Sequence, residues 1–233
     1  LNRTTLKLAA FIVVFSHTGL LLGKTVDLDL RHQLSRAMPD TLQQSAALSE
    51  QSEKYGWRVG GRLWEDSLSI NRLLYIGEAN YQLLSFLNVA GRLWQIVRMK
   101  ADSGTTGGLL LLCARAGITD TVSFTSRLGV QHRSWRVSAR SWLPVVYGSD
   151  FSETDLAIRF DLAIQWSEQW SSEVWLGTFD ELEVFNLHNP FLQIVVFKKA
   201  AWENVDVFAF GRYQILLGFG LVDNWTTGVG VRF

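Results

Sequence analysis

Asp155-Leu156-Ala157-Ile158-Arg159-Phe160-Asp161-Leu162-Ala163-Ile164-Gln165-Trp166 is the stretch whose reading decides the fold. Leu156, Ile158, Phe160, Leu162, Ile164 and Trp166 occupy one parity; Asp155, Ala157, Arg159, Asp161, Ala163 and Gln165 occupy the other. Successive side chains of a strand point to opposite faces, so the stretch reads as an apolar face backed by a charged, polar or small one. A helix would scatter those charges around its circumference. The same pattern sets Val122, Phe124, Leu128 and Val130 against Ser123, Thr125, Arg127 and Gln131, and Trp135, Val137 and Ala139 against Arg136, Ser138 and Arg140. Trp170, Ser172, Val174 and Leu176 alternate with Glu173 and Gly177, and Val205 to Leu221 carries apolar residues at most odd positions.

Turn residues separate these runs. Leu83–Leu87, Ile118–Val122, Trp166–Trp170 and Leu221–Trp225 share the order apolar, any, Ser/Asp/Glu, any, large apolar, in which a short polar side chain makes the turn and the apolar residue opens the next strand. Polar stretches at 32–54, 101–108, 147–154 and 180–190 read as loops. The remaining runs, near 24–31, 55–64, 68–83, 87–98, 108–118, 121–132, 135–146, 155–166, 170–179, 191–199, 205–221 and 225–233, predict about twelve strands, with ten or fourteen as alternatives. An even count puts both termini on one side. Counted this way, the 32–54, 147–154 and 180–190 loops share the opposite side with the short turns at Ser85, Asp120 and Asp223, although short turns normally mark the periplasmic end.

The 233 residues carry 22 basic and 22 acidic side chains, so no charge bias points to nucleic acid. Hydrophobic residues make up 48% and charged residues 19%, which excludes a disordered chain. The longest apolar runs, Leu8–Phe15 and Leu109–Ala114, fall short of the roughly 18–20 residues of a spanning helix. A lone Cys113 and four scattered histidines predict neither a disulfide nor a metal site, and no cofactor fingerprint occurs. Arg3 and Lys7 around the apolar core Leu8–Phe15, followed by Ser16, Gly19 and Gly23, predict a signal peptide over 1–23 and a single domain over 24–233.

Alternation alone does not say whether the apolar face lies against lipid or in a soluble core. Trp64, Trp135, Trp166, Trp170, Trp202 and Trp225 fall at predicted strand ends, where amphipathic rings would form girdles at the bilayer interfaces. The polar parity is rich in Gly, Ala, Ser and Arg, as suits a confined lumen. The expectation is an all-β chain, a single antiparallel transmembrane β-barrel in the bacterial outer membrane; the alternative is a soluble exported β-domain.

The last strand, Trp225-Thr226-Thr227-Gly228-Val229-Gly230-Val231-Arg232-Phe233, places Trp225, Val229, Val231 and Phe233 on one parity and ends on an aromatic residue. This resembles the C-terminal assembly signal of outer-membrane proteins, and the resemblance implies recognition by the barrel-assembly machinery. Gly218 to Phe233, together with Gly117-Ile118-Thr119-Asp120 and Trp135 to Pro144, resembles the outer-membrane transporters grouped with meta-pathway phenol-degradation proteins and, distantly, long-chain fatty-acid channels. The likeness implies a barrel that passes solutes; no family binding residues carry over.

On the polar parity Arg58, Arg62, Arg92, Arg127, Arg136, Arg140, Arg159, Arg212 and Arg232 are expected to line the lumen with fewer acids, Asp155, Asp161, Glu173 and Asp206. A surplus of arginine would favour anions or the anionic ends of small amphiphiles. Alternatively, the charges brace a filled interior. His132 with Ser134, and His188 beside Asn186 and Asn189, come nearest to a hydrolytic Ser–His pair, but no orienting acid is adjacent and no enzyme is expected. The expected function is passive transport of small hydrophobic or anionic solutes across the outer membrane, or else a filled barrel that binds a partner through its loops or walls. The expected partners are membrane lipid, the assembly machinery and a small solute.

Overall fold

The computed structural model describes residues 24–35, 41–65, 70–98, 104–136, 151–179, 190–202, 205–216 and 222–233. The chain forms β1 (Thr25–Ser35), β2 (Thr41–Gln51), β3 (Tyr55–Glu65), β4 (Ile70–Leu84), β5 (Leu87–Arg98), β6 (Gly104–Gly117), β7 (Val122–Arg136), β8 (Phe151–Gln165), β9 (Trp170–Gly177), β10 (Phe191–Trp202), β11 (Val205–Leu216) and β12 (Val222–Arg232). Each strand pairs antiparallel with its neighbours in the chain, and β1 pairs with β12, so the sheet closes on itself and no edge is left. At the seam Val26 and Phe233 exchange backbone hydrogen bonds at 3.1 and 2.9 Å. The described residues contain no helix.

The β2–β3, β4–β5, β6–β7 and β8–β9 turns lie at the same end as Lys24 and Phe233, here called the terminal end. Short polar side chains hold these turns. Ser52 donates from Oγ to the Tyr55 carbonyl at 2.9 Å, and Ser167 Oγ accepts from the Trp170 amide at 3.2 Å. Ser85 and Asp120 therefore turn beside the termini, on the side opposite to that predicted, while Asp223 lies inside β12.

The displaced turns trace to two compensating errors in the strand count. Residues 41–51, predicted as loop, form β2, whose outer positions Leu42, Gln44, Ala46, Leu48 and Glu50 mix polar and small residues and so mask the alternation. The predicted strands 121–132 and 135–146 correspond to one described strand, β7, which runs straight through His132-Arg133-Ser134. His132 and Ser134 are polar yet face outward, and that imitated a turn. The predicted signal peptide and the 137–146 segment lie outside the described residues.

The outer wall is apolar. On β8, Leu156, Ile158, Phe160, Leu162, Ile164 and Trp166 follow one another outward, a run comparable to the about 9–11 residues that carry a strand across a bilayer. Leu93 (72% exposed), Leu110 (63%), Val229 (57%) and Leu156 (55%) have no protein cover. A soluble barrel turns such residues inward; a belt of them all round is a surface made for hydrocarbon.

The inner wall is not uniformly polar. β4, β5 and β6 also point Leu74, Ile76, Trp94, Leu109 and Leu111 into the bore, where they pack together. β9, β10 and β11 contribute Trp175, Phe191, Val195, Phe197 and Phe210. β4–β6 are thus apolar on both faces, which explains the unbroken Leu109–Leu112 run. Arginines and carboxylates occupy the walls between these patches.

Candidate functional site in the barrel bore

The bore is organised by arginine–carboxylate pairs, and Asp27 and Asp161 each hold two arginines. Asp27 on β1 accepts from Arg232 Nε at 2.6 Å across the seam, and Arg58 Nη2 on β3 reaches its other oxygen at 3.1 Å. Asp29, one inward position further, accepts from Arg31 Nε at 2.6 Å and from Ser45 Oγ at 3.1 Å, and Ser45 Oγ in turn accepts from Arg62 Nε at 3.0 Å. On the opposite wall Asp161 accepts from Arg159 Nε at 2.5 Å and Arg127 Nε at 2.9 Å. Arg133 reaches Asp155 at 2.8 Å and Glu153 at 3.1 Å, and Arg92 pairs with Glu78. Inward positions recur every second residue, and register sets these partners side by side on adjacent or next-adjacent strands.

The guanidinium faces lie on aromatic rings. Arg159 sits 4.0 Å from the Trp175 centroid, Arg31 4.6 Å from Phe210, Arg212 4.7 Å from Phe191 and Arg232 5.6 Å from Phe197. A planar, weakly hydrated cation suits such a surface, and each contact stabilises by about 0.5–2 kcal/mol. The Phe208 and Phe210 rings cross above Gly230 and Gly228 of β12, where any Cβ would collide with them.

Between the walls is a chamber of about 250 Å³ lined by Arg31, Arg58, Arg127, Arg159 and Arg232 against Asp27, Asp29 and Glu173, with Trp175, Val195, Phe197, Phe208 and Phe210 as its apolar side. Five cations face three anions on the lining, and a fourth anion, Asp161, holds Arg127 and Arg159 from behind, so the chamber keeps a small positive excess. Glu173, Phe197 and Arg232 also line a second cavity of about 470 Å³ that reaches the β6–β7 turn, so the two spaces adjoin at the terminal end.

Of the predicted lumen residues, Arg58, Arg62, Arg92, Arg127, Arg159, Asp161, Glu173, Arg212 and Arg232 occupy inward positions. Arg136 does not: in the continuous β7 it has the parity opposite to Arg127 and Arg133, because the strand does not break where two strands were expected. Arg140 lies outside the described residues. Trp64 and Trp135 are likewise corrected. Register puts both inward, where Arg62 and Arg133 cover their rings at 5.8 and 4.9 Å. Trp166, Trp170 and Trp225 are outward and exposed, the first two at the terminal end and Trp225 towards the other, packed on Tyr213 at 4.7 Å. Trp202 lies on β10 beside Val205. Val229 and Val231 share the outer parity of Trp225, and Val231 and Phe233 join an outer apolar cluster with Val26 and Leu28 at the seam.

Sequence reasoning missed Asp27, Asp29 and Arg31 in the predicted strand 24–31, and Arg133 between the predicted strands 121–132 and 135–146. It also missed the aromatic wall: Phe208 and Phe210 share the parity of Arg212, yet neither they nor Phe197 were singled out as lining the bore. His132 faces outward with its Nδ1 2.9 Å from Thr154 Oγ1, an exposed pair without a carboxylate; His188 lies outside the described residues.

No protein-family model and no curated protein matches the sequence. Solved structures do match. The NanC porin aligns with TM-score 0.54 at 12% identity over 88% of this chain and 98% of its own. The KdgM porin in complex with disordered oligogalacturonate aligns at 0.52 and 11%, over 89% and 98%. A bacterial polysaccharide outer-membrane secretin aligns at 0.57 and 7%, over 90% and 97%. At these identities the likeness is one of fold: the chain resembles outer-membrane β-barrel channels from end to end of the barrel.

Proposed function

We propose that this barrel sits in the bacterial outer membrane and passes small solutes passively, favouring anions. The observation that carries the reading is the positive, arginine-lined chamber inside a closed wall whose outer face is apolar. A positive constriction raises the local anion concentration and lowers that of cations. Its aromatic side adds affinity for solutes with an apolar part. The porin-like fold supports passive movement. In this reading the outer belt contacts lipid, Trp166, Trp170 and Trp225 lie at the interfaces, and the assembly machinery recognises β12 through its outward Val229, Val231 and Phe233.

Detergent-purified protein inserted in planar bilayers tests the proposal. Discrete conductance steps are expected, with a reversal potential in a salt gradient on the anion side. Arg58→Glu together with Arg127→Glu should move that potential towards cations. Unchanged selectivity in a correctly folded double variant removes the anion reading.

A second reading, a filled barrel that binds a partner through its outer surface, is favoured by one observation: Arg62 and Gln131, inward from opposite walls, are fully buried. Persistent electrical silence of folded protein would select it.

A further inference from the structure

We infer that Phe179 forms an apolar throat across the bore, and that the solutes admitted are organic anions with a compact apolar body. The inference rests on the channel reading and adds to it the residue that limits passage. β9 ends at Gly177, level with Arg159 of β8 and Phe191 of β10, but Thr178 stays in the wall opposite Ile158 and Phe179 makes a further β-bridge. Thr178 extends the pairing by one rung: its amide donates to the Ile158 carbonyl at 2.8 Å, and its Oγ accepts from the Ile158 amide at 3.1 Å. Phe179, two residues on from the inward Gly177, therefore faces the bore and is 1% exposed.

Its packing partners reach well beyond Ala157 of β8, its neighbour in the wall. Phe179 belongs to the cluster of Leu74, Ile76, Trp94, Leu109 and Leu111 from β4, β5 and β6, and its ring lies 5.5 Å from the guanidinium carbon of Arg92 on β5. β9 and β5 stand four places apart in a wall of twelve, so this contact spans the bore. Phe179 also lies beyond the charged chamber as seen from the terminal end, since Gly177 is already level with Arg159.

Two zones in series follow, an open charged chamber and an apolar neck with one cation, Arg92, against its ring. An apolar neck excludes hydrated ions by dewetting, whereas a solute that brings its own apolar surface replaces the lost water contacts. Arg92, held by Glu78, keeps a positive charge at the neck and disfavours cationic solutes.

The experiment uses the full chain in planar bilayers, with wild type, Phe179→Ala and Phe179→Trp compared in chloride and under bi-ionic conditions with benzenesulfonate on one side and gluconate on the other. Wild type is expected to pass benzenesulfonate better than gluconate. Phe179→Ala should raise chloride conductance by roughly threefold or more and level the two organic anions, while Phe179→Trp should lower conductance and keep the preference. A silent wild type with a conducting Phe179→Ala also supports the throat, although it removes the wild-type channel. Equal conductance and equal preference in all three proteins overturns the throat and leaves the channel reading intact. Silence of all three overturns both. If Phe179→Ala does not fold, an unaltered Phe179→Trp protein overturns the throat on its own.

Discussion

Asp27 is where the closure of the wall converges. Its carboxylate is buried and holds Arg232 of the last strand and Arg58 of the third, so removing it leaves two guanidinium groups without their shared anion. Arg232 retains substantial access to solvent, which moderates the penalty, and Asp27→Asn should cost about 2–3 kcal/mol. The midpoint of urea unfolding in vesicles, followed by the gel-mobility shift between folded and unfolded forms, reads this directly. Lys24→Ala, which breaks a pair with the solvent-exposed Glu50, should leave the same midpoint unchanged. Steric demand divides the glycines in the same way. A side chain at Gly230 meets the Phe208 ring and the Leu28 carbonyl, so Gly230→Val should destabilise by about 1–3 kcal/mol. Gly77 has open space where its Cβ would stand, so Gly77→Ala should be neutral or stabilising by about 0.4–1 kcal/mol.

At the scale of the strand, what could be read from the sequence depended on how different its two faces are. β8 was legible because lipid-facing Leu, Ile and Phe alternate with Asp, Arg and Ala, and its partners follow by register. β2 was not, because its outer face carries Gln44 and Ala46 where a lipid-facing strand usually has aliphatics. β5 was oriented by Arg92, but β6 was not: with Leu on both of its parities, no period distinguishes its inner face from its outer one. The throat was hidden for another reason: parity with Glu173 on the predicted 170–179 strand turns Phe179 inward, but sequence does not show how far across the bore its ring packs. Most of the arginines were assignable because a guanidinium has no place in hydrocarbon; their aromatic covers were not, because phenylalanine suits either face. Orientation on β6 is testable. Leu110→Arg, mid-strand and outward, should cost about 2–4 kcal/mol in the vesicle assay, and Ile118→Arg at the terminal end about 0–1 kcal/mol. Equal costs at the two sites would mean that Leu110 does not face lipid.

For the whole molecule, closure makes stability a property of the complete ring, because every strand is flanked by two others and loss of one leaves two rows of backbone groups without their partners. Unboiled protein should therefore migrate as a compact species in detergent gels and shift on heating in one step, with no half-open intermediate. The ring is nevertheless uneven. β9 has 8 residues beside the 15 of β8 and the 12 of β10, so it shares the fewest rungs with its neighbours. In deuterium exchange the amides of Trp170 to Gly177 should take up label ahead of those of β6, β7 and β8. A cask leaks first at its shortest stave, and here that stave also carries the residue that narrows the passage, so the same slow fluctuation that admits heavy water would pace how often the pore breathes.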